Sequence, residues 1–215
     1  MRLKGLIFDF DGTLANTLPI CIEGFRRVYR RYLGRDFSDA EVCETFGPSE
    51  EGSFQRLLPE QWEEGLEYYY QEYTVLHEEC ISPFDGIFSL LDRLKSDGVR
   101  LAIVTGKGSG TMKISARYTG VERFFERIET GSPKGSVKAR QIRQITEEWG
   151  FHGNEVAYVG DVAHDVISSR EAGVIAVSAA WAESADYESL LYAEPDVIPR
   201  TPNELWMWLN GVGGS

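Results

Sequence analysis

Four short apolar runs punctuate the chain, and each ends on a small or polar residue. They are 3–8 before Asp9, 101–104 before Thr105, 156–159 before Gly160-Asp161, and 174–177 before Ser178. Continuous rather than alternating hydrophobicity predicts strands covered on both faces. A helical pattern closed by glycine precedes each later run: Leu90, Leu91 and Leu94 end at Gly98, Ile142, Ile145 and Trp149 at Gly150, and Val166, Ile167 and Arg170 at Gly173. Strands alternating with helices imply right-handed crossovers and an α/β, Rossmann-like, doubly wound parallel sheet. Ligands of such sheets bind beyond the carboxyl ends of the strands.

The stretch 15–82 has a different period. Ile22, Phe25, Val28, Tyr29, Tyr32 and Leu33 fall on one side of a helix over 22–33, with Arg26, Arg27, Arg30 and Arg31 on the other. Ser38 and Glu41 make a capping box for a second helix, and Trp62, Leu66, Tyr69, Tyr73, Leu76 and Cys80 mark a long final one. Pro83 and Gly86 then return the chain. The reading is a small α-helical cap, 15–82, inserted into a core of 1–14 and 83–215, with a glycine-rich tail at 211–215 expected to fray.

Charge follows the same division. The cap holds 14 Asp and Glu against six Arg and no Lys, within a net charge of −12 for all 215 residues. A field of that sign disfavours nucleic acid and anionic membrane as partners, and leaves the arginine stripe as a solvated face balanced by acids. Were the stripe to face a cleft, it would select a substrate with a second anionic group. Ordinary composition excludes disorder and coiled coil, and no apolar run approaches a membrane span. The three cysteines, Cys21, Cys43 and Cys80, suggest neither a disulfide framework nor a zinc site. With too short an apolar stretch near Met1 for a signal-peptide core, a cytoplasmic location is expected.

The candidate chemistry lies at the strand ends. Asp9-Phe10-Asp11-Gly12-Thr13 follows the first run, and Thr105-Gly106-Lys107 follows the second. Lys134 and Lys138 precede a helix, and Gly160-Asp161-Val162-Ala163-His164-Asp165 follows the third. In that order these motifs resemble the haloacid dehalogenase superfamily, in its phosphatase branch with a helical cap after the first motif. Nearly the whole chain is similar to phosphoglycolate phosphatase and β-phosphoglucomutase relatives.

The resemblance implies hydrolysis of a small phosphorylated metabolite. Asp9 is the nucleophile that forms an aspartyl-phosphate, and Asp11 is the acid and then the base. Thr105 and Gly106 hold the phosphoryl oxygens. The catalytic lysine is Lys138 by family spacing, with Lys134 as the alternative, and Lys107 is expected at the rim. Crowded carboxylates call for a hard divalent cation. The expected cofactor is Mg²⁺, on the side chain of Asp9, the carbonyl of Asp11 and Asp161, with Asp165 in direct or water-mediated support. His164 is expected to be structural or exposed.

Asn16, Gly106 and Val162 depart from the family pattern and bear on the substrate. Gly47-Pro48-Ser49 is either a loop reaching the site or a plain turn. Dehalogenation would not need Asp11, and the lack of lysine from Gly5 to Leu94 argues against a Schiff-base phosphonatase. A sugar-phosphate mutase and a non-catalytic phospho-ligand regulator remain as alternatives. Oligomeric state is not readable.

Overall fold

The computed structural model describes residues 3–47, 49–78, 80 and 83–211. The far end of the cap–core boundary, Pro48 and the tail from 212 therefore lie outside the described residues. Strand β1 (Gly5–Phe8) runs into the first motif, and four helices follow: α1 (Leu18–Leu33), α2 (Asp39–Thr45), α3 (Glu50–Leu57) and α4 (Trp62–Glu78). The chain continues through α5 (Ile87–Ser96), β2 (Arg100–Val104), α6 (Ser109–Thr119), β3 (Arg127–Glu129), α7 (Lys138–Trp149) and β4 (Val156–Gly160). It closes with α8 (Ala163–Ala172), β5 (Ile175–Ser178), α9 (Tyr187–Tyr192) and α10 (Pro202–Leu209).

The strands form one parallel sheet in the order β3-β2-β1-β4-β5. With β1 central, successive residues serve opposite faces. Leu6 and Phe8 join Leu91, Met112 and Leu205 in one core, while Ile7 joins Ile142, Ile145 and Tyr158 in the other. That double burial explains the unbroken apolar runs.

The structure trims or shifts some sequence expectations. The first strand starts at Gly5 rather than residue 3, and the last is displaced by one residue to 175–178. β3 was not anticipated: Arg-Ile-Glu is a half-buried edge strand too short to make an apolar run. Helix α1 begins at Leu18 because Pro19 fits the first turn, where its missing N–H costs nothing. Ile167, read as part of the helical segment closed by Gly173, is exposed on α8.

The four helices between Leu18 and Glu78 share an aromatic core of their own. Phe25 packs on Phe54 and Tyr69 with ring centroids 4.9 Å apart in each case, and Tyr69 stacks on Tyr73 at 5.5 Å. The Ser38–Glu41 capping box is present at α2. Arg26 pairs with Glu23 and Asp39, Arg27 with Glu23 and Glu72, and Arg30 with Asp36, while Arg31 lies over the Tyr68 ring. The stripe is thus balanced by acids of the cap itself. Among the described residues, no helix is long and apolar enough to cross a membrane.

Trp149 lies so close beneath β1 that a Cβ on Gly5 would come within 2.4 Å of the indole. The ring is wedged in the second core and cannot swing away. Gly5→Ala is expected to destabilise the fold by about 1–3 kcal/mol. Thermal unfolding checks this, at about 2–4 °C of Tm per kcal/mol for a chain of this size.

Candidate active site

The carboxyl ends of β1 and β4 and the start of α8 deliver their acids to one place. Asp9 follows β1 directly, and its Oδ1 accepts the Phe10 N–H at 2.7 Å. Asp161 follows β4 and takes the Thr13 hydroxyl at 3.0 Å. Asp165, in the first turn of α8, accepts the Val162 N–H at 3.2 Å, where a carboxylate complements the helix dipole. The oxygens of Asp9, Asp161 and Asp165 approach within 4.8 Å of one another, all three residues being buried.

Such crowding requires a chain without side chains in its way. Gly12 has φ +74°, and a Cβ there would sit 2.1 Å from Asp161 Oδ2. Gly160 is equally constrained, since its Cβ would lie 2.3 Å from Asp165 Oδ2. Only glycine meets both the backbone and the contact requirement at position 12.

Lys138, at the start of α7, sends its Nζ to Asp9 Oδ2 and Asp165 Oδ1, each at 2.6 Å. Lys134 is exposed and does not line the cavity. Burial lifts Asp9 above the ordinary carboxylate range, opposed by Lys138 and reinforced by Asp165. Asp161 is held well above its ordinary value by burial and then by Asp9 and Asp165. Burial works against the charge on Lys138, but Asp165 and Asp9 outweigh it and keep the ammonium protonated. Three buried carboxylates facing one lysine form an all-oxygen donor set with excess negative charge. These residues fit a hard divalent cation.

Asp11 turns to the other side of the cavity. Its Oδ1 accepts the Thr17 hydroxyl at 2.5 Å and the Lys107 ammonium at 3.0 Å. Lys107 is therefore not a rim residue, because helix α4 covers it. Its Nζ lies 4.6 Å from the Tyr73 ring centroid and is almost fully buried. Burial opposes the Lys107 charge, and Asp11 foremost outweighs it. Cys21 beside them is pushed up to about 12 by burial and Asp11, so it remains a neutral thiol.

A cavity of about 300 Å³ joins the two halves, with Thr105 and Gly106 on its core wall. A Cβ on Gly106 would meet only Lys138 Cε, at 3.9 Å. Gly47 and Ser49 also line the cavity, as does Val162. His164 is exposed, with a ring nitrogen 3.5 Å from Ser136 Oγ.

Glu50 and Tyr69 are among the lining residues that the motif reading missed. Glu50, from the cap, accepts the Gly108 N–H and the Thr111 hydroxyl of the core, each at 2.5 Å. Its Ser-Glu-Glu surroundings mark a helix start and give no sign of this contact. Tyr69 was legible only as one member of an apolar stripe.

The haloacid dehalogenase-like hydrolase family model matches residues 6–179. The chain belongs to this family. The family assignment agrees with relatives of the same length. Pyrophosphatase PpaX of Halalkalibacterium halodurans is 28% identical over 208 residues, covering 95% of this chain and 96% of that one. A haloacid dehalogenase-like family hydrolase from Streptococcus pneumoniae superposes with a TM-score of 0.76 at 28% identity, over 96% of this chain and 98% of the other. A predicted phosphatase from Clostridium acetobutylicum gives a TM-score of 0.79 at 22% identity, over 98% and 100% of the two chains, and so shares the fold. The protein is a phosphatase of the family.

Besides the Glu50 contact, the cap also rests on the core through uncharged groups near the cavity. Ser115 of α6 lies 2.9 Å from the Tyr73 hydroxyl and 2.9 Å from His77 Nε2. Burial, followed by the Lys107 charge, lowers His77 to about 4. A histidine depressed in the folded state contributes stability above its unfolded value of about 6.5 and loses it as pH falls toward 4. Urea unfolding is expected to lose about 1–2 kcal/mol from this residue between pH 7 and 5. His77→Gln should remove that part of the pH dependence.

Proposed function

We propose that this enzyme hydrolyses the phosphate monoester of a small metabolite, with Mg²⁺, through a phosphorylated Asp9. The observation that carries the reading is the unequal setting of the two aspartates of the first motif. Asp9 is buried against Lys138, whereas Asp11 faces the cavity from the opposite side, held by Lys107 and Thr17. On this reading the first attacks phosphorus and the second moves a proton.

In the first step an Asp9 oxygen bonds to phosphorus while the ester P–O bond breaks. The departing alkoxide takes a proton from Asp11. Water then attacks the acyl phosphate, gives a proton to Asp11, and frees inorganic phosphate as the Asp9 carboxylate is restored. Thr105 and the Gly106 N–H would hold the phosphoryl oxygens from the core wall. Lys138 favours the charged form of Asp9 against its burial and orients it. When bound by Asp9, Asp161 and the Asp11 carbonyl, with support from Asp165, Mg²⁺ would supply the charge that draws an anionic phosphoryl group to an anionic nucleophile.

Hydrolysis of p-nitrophenyl phosphate is expected to need Mg²⁺ and to stop in excess chelator. Asp9→Asn should fall to background with no phosphoenzyme. Asp11→Asn should lose about 10²–10⁴-fold in turnover, yet accumulate phosphorylated Asp9, because this substrate's leaving group needs little protonation. Intact-protein mass spectrometry reads the added phosphoryl group. Phosphate release against isomerisation of sugar phosphates separates this reaction from a mutase. Wild-type turnover by Asp9→Asn would disprove the covalent route.

A further inference from the structure

We infer that the substrate's leaving group is an uncharged alcohol with an apolar body and a polar group that hydrogen-bonds the Tyr69 hydroxyl. The inference rests on the monoester reading above and narrows its substrate class. It follows from what the cap presents to the cavity. Leu18, Phe25 and Phe46 supply an apolar wall, and Tyr69 stands among them.

Among the described residues, the only charged side chain the cap contributes to this lining is Glu50, a carboxylate. The two lining cations are already engaged, Lys107 with Asp11 and Lys138 with Asp9 and Asp165. None of the cap arginines lines the cavity. Arg56, beside Gly47, is exposed and donates to the Thr45 carbonyl. A second anionic group on the substrate would therefore face Asp11 and Glu50 with no cation of the cap among the lining residues to receive it. Like charges at close range in a partly desolvated site repel strongly.

The second observation is the Tyr69 hydroxyl. It is buried, has no hydrogen-bond partner in the protein, and lies near the carboxylates of Glu50 and Asp11. Its ring cannot retreat, since it is packed on Gly24, Phe25, Phe54 and Tyr73. A buried hydroxyl left unpaired is costly, and a polar group on the bound substrate would complete it. Small, rigid, half-polar pockets of this kind select by one well-placed hydrogen bond. The inference separates this enzyme from a preference for pyrophosphate, the substrate in the name of its relative.

The test compares butyl phosphate, its ω-hydroxyl analogue, its ω-carboxylate analogue and pyrophosphate, with p-nitrophenyl phosphate as a control for the reaction itself. The ω-hydroxyl ester should show the highest kcat/KM, with the ω-carboxylate ester and pyrophosphate at least tenfold lower. Tyr69→Phe should erase the advantage of the hydroxyl ester over the butyl ester, a change of about tenfold in their ratio, and should melt no lower than wild type. Glu50→Gln should narrow the gap to the carboxylate ester. Preference for the carboxylate ester or pyrophosphate, or an equal loss on every ester in Tyr69→Phe, overturns this substrate class while leaving the hydrolase reading intact. Failure to release phosphate from p-nitrophenyl phosphate overturns both.

Discussion

Repulsion among buried carboxylates is the constraint around which the core is arranged. Asp9, Asp161 and Asp165 converge at the end of the sheet with one lysine between them, and Asp11 has a second lysine of its own. Unpaired buried charges are strongly destabilising, so each ammonium must be fixed by burial as well as by attraction. Lys138 is fixed by the start of α7, and Lys107 by the Tyr73 ring above it. The absence of side chains at Gly12 and Gly160 is part of the same solution, because the acids occupy the space where Cβ atoms would be. The residual negative charge is what makes the cluster receptive to a cation.

The cap solves a separate problem. Its acids and arginines neutralise one another on the outside, while its interior is a stack of aromatic rings. Where it meets the core it offers hydroxyls, an imidazole kept neutral and a single carboxylate. The cap can therefore shape the cavity without adding positive charge to the phosphate site. On the proposed function, chemistry is left to the sheet and selection to the cap.

Much of this was legible in the sequence because strand ends are where such sheets place their ligands, and motifs at strand ends stand out against apolar runs. Asp9, Asp11, Thr105, Asp161 and Asp165 stand out that way, and Lys138, with Lys134 as its alternative, by family spacing; the structure brings all but Lys134 to one cavity edge or its immediate support. Lys107 was misread because its burial is imposed by Tyr73, 34 positions earlier in the chain. Tyr69 and Glu50 were hidden for a similar reason: a stripe position and a helix start look alike whether or not a cavity lies beside them. β3 carried no signal, since an edge strand of three half-buried residues has no pattern to display.

The link into the cap has one further consequence. Thr17 stands at the N-terminus of α1, where a threonine ordinarily caps the helix, but its hydroxyl is given to Asp11 instead. The proposed cycle alternates the charge on Asp11. As a carboxylate, while the phosphoenzyme waits for water, Asp11 holds Thr17 and Lys107 most firmly. As an acid, once water has been split, it holds them less. The residue proposed to carry the proton is thereby also the tie between the root of the cap and the core.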